Sequence, residues 1–195
     1  MPRRSSGLSF YKKEKRFNKK HVKSVLVYVF WGIAMVLIAF ALCYCFGIKT
    51  SVIGDSMKPT LSSGQGIFID RFTYVLSEPH RGDVIVFLPN GNKNTHYYVK
   101  RVIGVPGDTV LIQNGMVYIN DKLLDDKYIF DKVEDGGIAK NGITLSDDEY
   151  FVMGDNCNNS EDSRSSNIGV VKSEYIIGKA WFHLKDDDIS MGFIK

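Results

Sequence analysis

The sequence predicts a mainly β domain, an antiparallel β-sandwich or partly open barrel, carried on a single N-terminal transmembrane helix. Three observations lead there. From Val25 to Ile48 the chain runs 24 residues without a charge. At about 1.5 Å per residue that is roughly 36 Å of helix, enough for a hydrocarbon core near 30 Å. After it, short apolar runs alternate closely with Gly, Pro, Asn and Asp, the pattern of short strands and tight turns. Outside the apolar run no stretch of useful length keeps a helical period.

The apolar run reads as an uncleaved anchor. A cleavable signal peptide has an apolar region of about 7–15 residues, and this one is longer. Tyr28, Trp31, Tyr44 and Phe46 lie toward its two ends, where aromatic rings favour the membrane interface. The net charge of +3 conceals an asymmetry. Residues 1–23 carry nine Lys/Arg and one Glu, or +8; the rest carries sixteen Lys/Arg and twenty-one Asp/Glu, or −5. A basic tail can bind nucleic acid, but beside an apolar run it is a membrane flank, so no nucleic-acid partner is expected. The positive-inside rule then puts residues 1–24 in the cytoplasm, 25–48 across the lipid bilayer and 49–195 outside. Cys43 and Cys45 fall in the run and act as small apolar residues. Cys157 is the only cysteine beyond it, so the outer domain has no internal disulfide.

With 195 residues there is room for one modest domain plus accessory segments. Residues 48–53 read as a short extended segment, and 62–66 as loop. Ile67-Phe68-Ile69 and Phe72-Thr73-Tyr74-Val75 are strand-like. Val84-Ile85-Val86-Phe87 suits a strand buried on both faces. The next strand, Tyr97 to Val105, stops at Pro106-Gly107-Asp108. Asn114-Gly115 between apolar runs is a hairpin signal. Residues 121–149 are polar and read as the looser part of a loop-rich excursion spanning 109–149. Residues 149–153 return to strand, and 174–184 form the last one before an acidic tail. Asp186-Asp187-Asp188 in that tail reads as a solvated charge run rather than a metal site. His21, His80, His96 and His183 are scattered. Neither a metal nor a cofactor is expected.

Chemistry concentrates in three stretches. In Gly54-Asp55-Ser56-Met57-Lys58-Pro59-Thr60-Leu61 a serine sits among turn-forming residues, which display a hydroxyl on a bent backbone. In Tyr98-Val99-Lys100-Arg101-Val102-Ile103-Gly104-Val105-Pro106-Gly107-Asp108 a lysine interrupts an apolar strand. Burial disfavours the ammonium and lowers the lysine pKa from near 10.4, so a buried lysine can act as a base for serine. Plain alternation, with Lys100 facing solvent from a half-buried strand, fits the same pattern. The third stretch, Gly154 to Arg164, is dense in short hydrogen-bonding side chains. Within it Asp155, Asp162 and Arg164 suit a charge-assisted network that holds a loop rigid.

Together these stretches resemble the bacterial type I signal peptidases, or leader peptidases, in their short Gram-positive form. The serine box, the lysine box and the last box occur in order after the anchor, with Arg81-Gly82-Asp83-Val84-Ile85-Val86-Phe87 as the middle box. The resemblance spans about residues 25–183. It implies a serine–lysine endopeptidase that removes signal peptides from exported preproteins near the secretion translocon. Ser56 is then the nucleophile and Lys100 the general base. Ser160 orients the amine through a hydrogen bond, and the Ser56 N–H stabilises the oxyanion. Some members carry, two residues before the nucleophile, a serine whose hydroxyl is a second donor; here that residue is Gly54. Arg101, Asp155, Asp162 and Arg164 match positions that hold the site together. Val52, Ile53, Leu61, Tyr98 and Val99 match segments lining the cleft, where shallow pockets take small residues at −1 and −3 of Ala-x-Ala sites. Self-cleaving repressors share the chemistry but need a DNA-binding domain where the anchor stands. A factor specialised for pilus assembly, catalytic or not, is the alternative; non-catalytic relatives are expected to lack the serine or the lysine.

Overall fold

The structure, a computed structural model, describes residues 19–124, 131–186 and 189–194. The chain divides into two compact units, Met1–Ala41 and Leu42–Lys195. Helix α1 runs Lys19–Phe46. Within it His21–Tyr44 has a mean hydropathy of 2.6, long enough and apolar enough to cross a membrane. The helix ends two residues short of the expected Ile48. Gly47 donates the closing hydrogen bond to Cys43 O at 2.8 Å, and Ile48 already belongs to the first strand.

Twelve strands follow among the described residues, all paired antiparallel: β1 (Ile48–Ser51), β2 (Gly66–Asp70), β3 (Val84–Phe87), β4 (Tyr98–Gly104), β5 (Thr109–Gln113), β6 (Met116–Ile119), β7 (Lys122–Leu123), β8 (Ile143–Thr144), β9 (Glu149–Met153), β10 (Val171–Lys172), β11 (Ile176–His183) and β12 (Gly192–Phe193). The larger sheet runs β1-β2-β11-β3-β4-β9-β10, with β12 added beside β11. Its path does not close, which makes the domain a curled, open half-barrel. The smaller sheet runs β7-β6-β5-β8. The mainly β, antiparallel expectation therefore holds.

Strands β3 and β4 are central, and this decides the site. All four residues of β3 are buried, as are the six from Val99 to Gly104 in β4. An apolar run bounded by turns packs this way when both faces are covered. One core cluster includes Val52, Met57, Leu61, Ile67, Ile69, Val84, Val86 and Val99. Fully burying each such side chain stabilises the domain by about 1.5–3 kcal/mol. Ile85, Phe87, Val102, Tyr150 and Val152 form a second cluster.

Three local expectations change. Phe72-Thr73-Tyr74-Val75 is not strand: Thr73–Leu76 forms one helical turn, α2. Asp70 causes it, accepting hydrogen bonds from the N–H groups of Phe72 and Thr73 at 2.8 and 3.0 Å and from the Thr73 hydroxyl at 2.5 Å. Local carboxylate-to-backbone bonds of this kind compete with a strand ladder. The segment after residue 109 carries more order than a loop-rich excursion. Asn114 and Gly115 both take positive φ (54° and 78°) and close the β5–β6 hairpin in the register Gln113↔Met116, as a type I′ turn requires. Val110, Ile112, Val117, Ile119, Val133 and Leu145 then pack with Ile103 and Phe151 of the larger sheet in a third core cluster. Residues 125–130 of that segment lie outside the described residues, as do Asp187 and Asp188 of the acidic tail. Finally, the tail returns as β12, where Phe193 pairs with Phe182.

Candidate active site

Ser56 lies in the turn that leaves β1, with 8% of its surface exposed. Gly54 takes φ +79° there, which only glycine adopts without strain. Met57 and Leu61 are fully buried on either side of the following bend and fix it to the core. The last loop holds the turn from above. Asn156 donates its N–H to Ser56 O at 3.0 Å, and its Nδ2 donates to Asp55 O at 3.1 Å.

Lys100 reaches the same point from the middle of β4. Its Nζ lies 2.7 Å from Ser56 Oγ, and the residue is 4% exposed. The solvent-facing alternative is thereby excluded. Burial pushes its pKa down to about 8; Asp162, Glu161 and Asp155 pull it back up, and Arg164 adds to the lowering. Near neutral pH a usable fraction of the amine is therefore unprotonated, and a neutral amine can take the Ser56 proton.

Around the pair Asp155 and Asp162 each hold an arginine. Arg101 grips Asp155 with two bonds, Nε to Oδ1 at 2.8 Å and Nη2 to Oδ2 at 2.7 Å. Its Nη1 also donates to Gly82 O at 2.8 Å, and Thr60 Oγ1 donates to Asp155. This ties the serine turn, the middle box and the last loop through one buried ion pair. Asp162 accepts from Gly154 N at 3.1 Å and from Arg164 Nε at 2.8 Å and Nη2 at 2.9 Å. Arg164 donates onward to Cys157 O. Arg101, Asp155, Asp162 and Arg164 thus converge as the sequence suggests. Cys157 itself is buried, and burial pushes its thiol pKa up, away from nucleophile chemistry.

Ser160 departs from expectation. No hydrogen bond joins it to Lys100; its Oγ is buried and has no hydrogen-bond partner among the described residues. What fixes its place is Gly154. A methyl at position 154 would overlap both Ser56 O and Ser160 Oγ, and would sit 2.8 Å from Ser160 Cβ. Backbone and side chains meet there too closely for any side chain. We expect Gly154→Ala to cut kcat by about a hundredfold, since displacements near 1 Å at a catalytic pair have that effect. Turnover kinetics beside a thermal melt check this, and a variant within threefold of wild type refutes the tight-contact reading.

A cleft of about 290 Å³ opens at the pair. Val52, Ile53, Tyr98 and Val99 line it as expected. Leu61 does not: it is fully buried in the cluster under the turn, because the bend at residues 57–60 carries it inward. Sequence reasoning missed His96, Tyr97, Asn159 and Glu161, which also line the cleft. Tyr97 directly precedes β4 and Glu161 directly follows Ser160, but adjacency to a motif does not say which neighbours face the opening. A second groove of about 560 Å³ shares Ile53, His96 and Tyr97 with the first, so an extended path runs past Ser56.

Comparison with known proteins identifies the family. The family described as "Signal peptidase, peptidase S26" matches residues 24–184. The chain belongs to the signal peptidase S26 family. Among similar proteins, "Signal peptidase I T" of Bacillus subtilis (strain 168) is 34% identical over 172 residues, covering 82% of this chain and 86% of that one. "Probable signal peptidase I-2" of Synechocystis sp. (strain ATCC 27184 / PCC 6803 / Kazusa) is 37% identical over 151 residues, covering 72% and 67%. A crystal structure of a signal peptidase I from Enterococcus faecalis V583 is 30% identical, with a TM-score of 0.41, covering 53% of this chain and 97% of that one.

Proposed function

We propose that this S26-family chain is a membrane-anchored serine endopeptidase that removes N-terminal signal peptides from exported preproteins. The observation that carries the reading is the buried 2.7 Å contact between Ser56 Oγ and Lys100 Nζ in a cleft that Val52, Ile53, Tyr98 and Val99 help to line.

The neutral Lys100 amine takes the Ser56 proton as Oγ attacks the carbonyl carbon of the scissile bond. The charge on the carbonyl oxygen is met by the Ser56 N–H. The resulting Lys100 ammonium returns its proton to the leaving amine, and the C–N bond breaks to leave an ester on Ser56. Lys100, neutral again, then takes a proton from water as the water attacks that ester, and it gives that proton to Ser56 Oγ as the ester C–O bond breaks and the new carboxyl terminus leaves. An extended substrate lies along residues 52–54 and 97–99, pairing through its backbone. Buried Val52 and Val99 close the floor beneath it, so only small side chains fit at −1 and −3.

Purified protein in detergent is expected to cut a preprotein once, after Ala-x-Ala, and Ser56→Ala not at all. Replacing the −1 Ala by Phe should slow cutting about a hundredfold, because overlap with a closed floor is more damaging than a missing methylene. N-terminal sequencing of the product reads both. Cleavage by Ser56→Ala, or equal cutting with Phe, overturns the reading.

Residues 1–24 are assigned to the cytoplasm and 49–195 to the outer face. The basis is the +8 flank before the apolar helix. Protease added to intact spheroplasts is expected to digest the β domain and spare the tail; protection of the domain refutes that orientation.

A further inference from the structure

Two carboxylates line the cleft, and they differ. Asp55 pairs with Lys58 at 3.0 Å. Glu161 is exposed and has no ion-pair partner among the described residues; its Oε2 lies 3.4 Å from the Tyr98 hydroxyl and its Oε1 3.3 Å from Asn167 Nδ2. The Tyr98 ring connects it to the catalytic pair, with Lys100 Nζ 5.6 Å from the ring centroid.

This placement works against the chemistry of the free enzyme. A negative charge beside Lys100 favours the ammonium, which cannot act as a base. Among the groups facing the amine, Asp155 is already neutralised by Arg101, and Asp162 by Arg164. Tyr98 is held neutral by burial and by Glu161. His96 lies farther along the cleft wall. Glu161 is the one of these carboxylates with no ion-pair partner among the described residues, and it lines the cleft.

Resting on the peptidase reading above, we propose that Glu161 is a specificity residue: it pairs with a cationic side chain of the substrate next to the scissile bond, and that pairing offsets one of the negative charges near Lys100. A Lys or Arg in the substrate then acts twice. It adds an ion pair that strengthens binding, and it frees the base. An acidic residue at the same place repels Glu161 and leaves Lys100 charged.

The test uses three sets of matched peptides, one set for each of −2, +1 and +2 of an Ala-x-Ala site, carrying Lys, Gln or Glu there, with the full-length enzyme in detergent. At one of these positions wild type is expected to prefer Lys over Gln by about three- to fivefold in kcat/KM, the size of a solvent-exposed pair. The preference should shrink at 1 M salt, where screening acts within about 3 Å. In kcat, the acid limb of the pH profile should lie lower for the Lys peptide than for the Gln peptide. Glu161→Gln is expected to lose both the preference and the limb shift, while Glu161→Asp keeps part of each. A merely structural role would change rates for all peptides alike and leave the limbs together. The proposal is overturned if wild type shows no charge preference at any of the positions, or if Glu161→Gln keeps it. If wild type cuts none of the peptides, nor an unmodified preprotein, the peptidase reading fails and this proposal with it.

Discussion

Lys100→Arg is expected to be inactive at every pH, at least about a thousandfold below wild type, within the range a general base contributes. The guanidinium keeps the charge and much of the length but cannot lose its proton in the working range. Wild-type activity should rise about tenfold per pH unit up to about 8, where Lys100 titrates, and level off above it. Stability supplies an independent check of the same group. Its folded pKa is depressed, so between about 8 and 10.5 the unfolded chain binds more protons than the folded one. Wild-type stability should therefore rise with pH across that window and carry the full burial penalty below it. Lys100→Met is then expected to be as inactive as Lys100→Arg yet more stable than wild type at pH 7, with the rise above pH 8 gone. Cleavage assays and chemical denaturation against pH measure both. If Lys100→Arg keeps more than about a tenth of wild-type activity, or if Lys100→Met is less stable at pH 7, the lysine is structural and the mechanism fails.

Asp155→Ala is expected to destabilise the β domain by about 3–5 kcal/mol, because it removes the carboxylate that balances the buried Arg101 charge. Arg101 is only 2% exposed, so water cannot replace the lost carboxylate. The turn should loosen as well, since Asn156, which holds the Ser56 and Asp55 carbonyls, is the next residue. Pairing Asp155→Leu with Arg101→Met removes both charges, and should recover at least half of the stability but not the activity. Denaturant midpoints at equal m-value test this. A single variant within about 1 kcal/mol of wild type would mean the ion pair is not what clamps the serine turn.

Much of this was legible in the sequence. An uncharged run of 24 residues is long enough and apolar enough for a membrane span, and β3, β9 and the Asn114-Gly115 hairpin follow from local pattern and turn chemistry. Ser56 and Lys100 stood out because a hydroxyl in a tight turn and a charge in an apolar strand are each locally unusual. Tertiary structure decided the rest. Whether Lys100 faced water or Ser56 depended on the serine turn lying over β4, and the two residues that meet there are 44 apart in the chain. The Arg101–Asp155 clamp joins residues 54 apart, so no periodicity announces it. Asp70 overrode a strand-like run with three hydrogen bonds, a competition whose outcome depends on where the backbone turns. Leu61 sits in the core rather than the cleft, and Glu161, which no pattern singled out, lines the cleft, because the direction of a loop side chain is set by what packs against it. Sequence periodicity reports on elements with a repeat, and the last loop has none; its contacts form only when the sheet brings it over the serine turn.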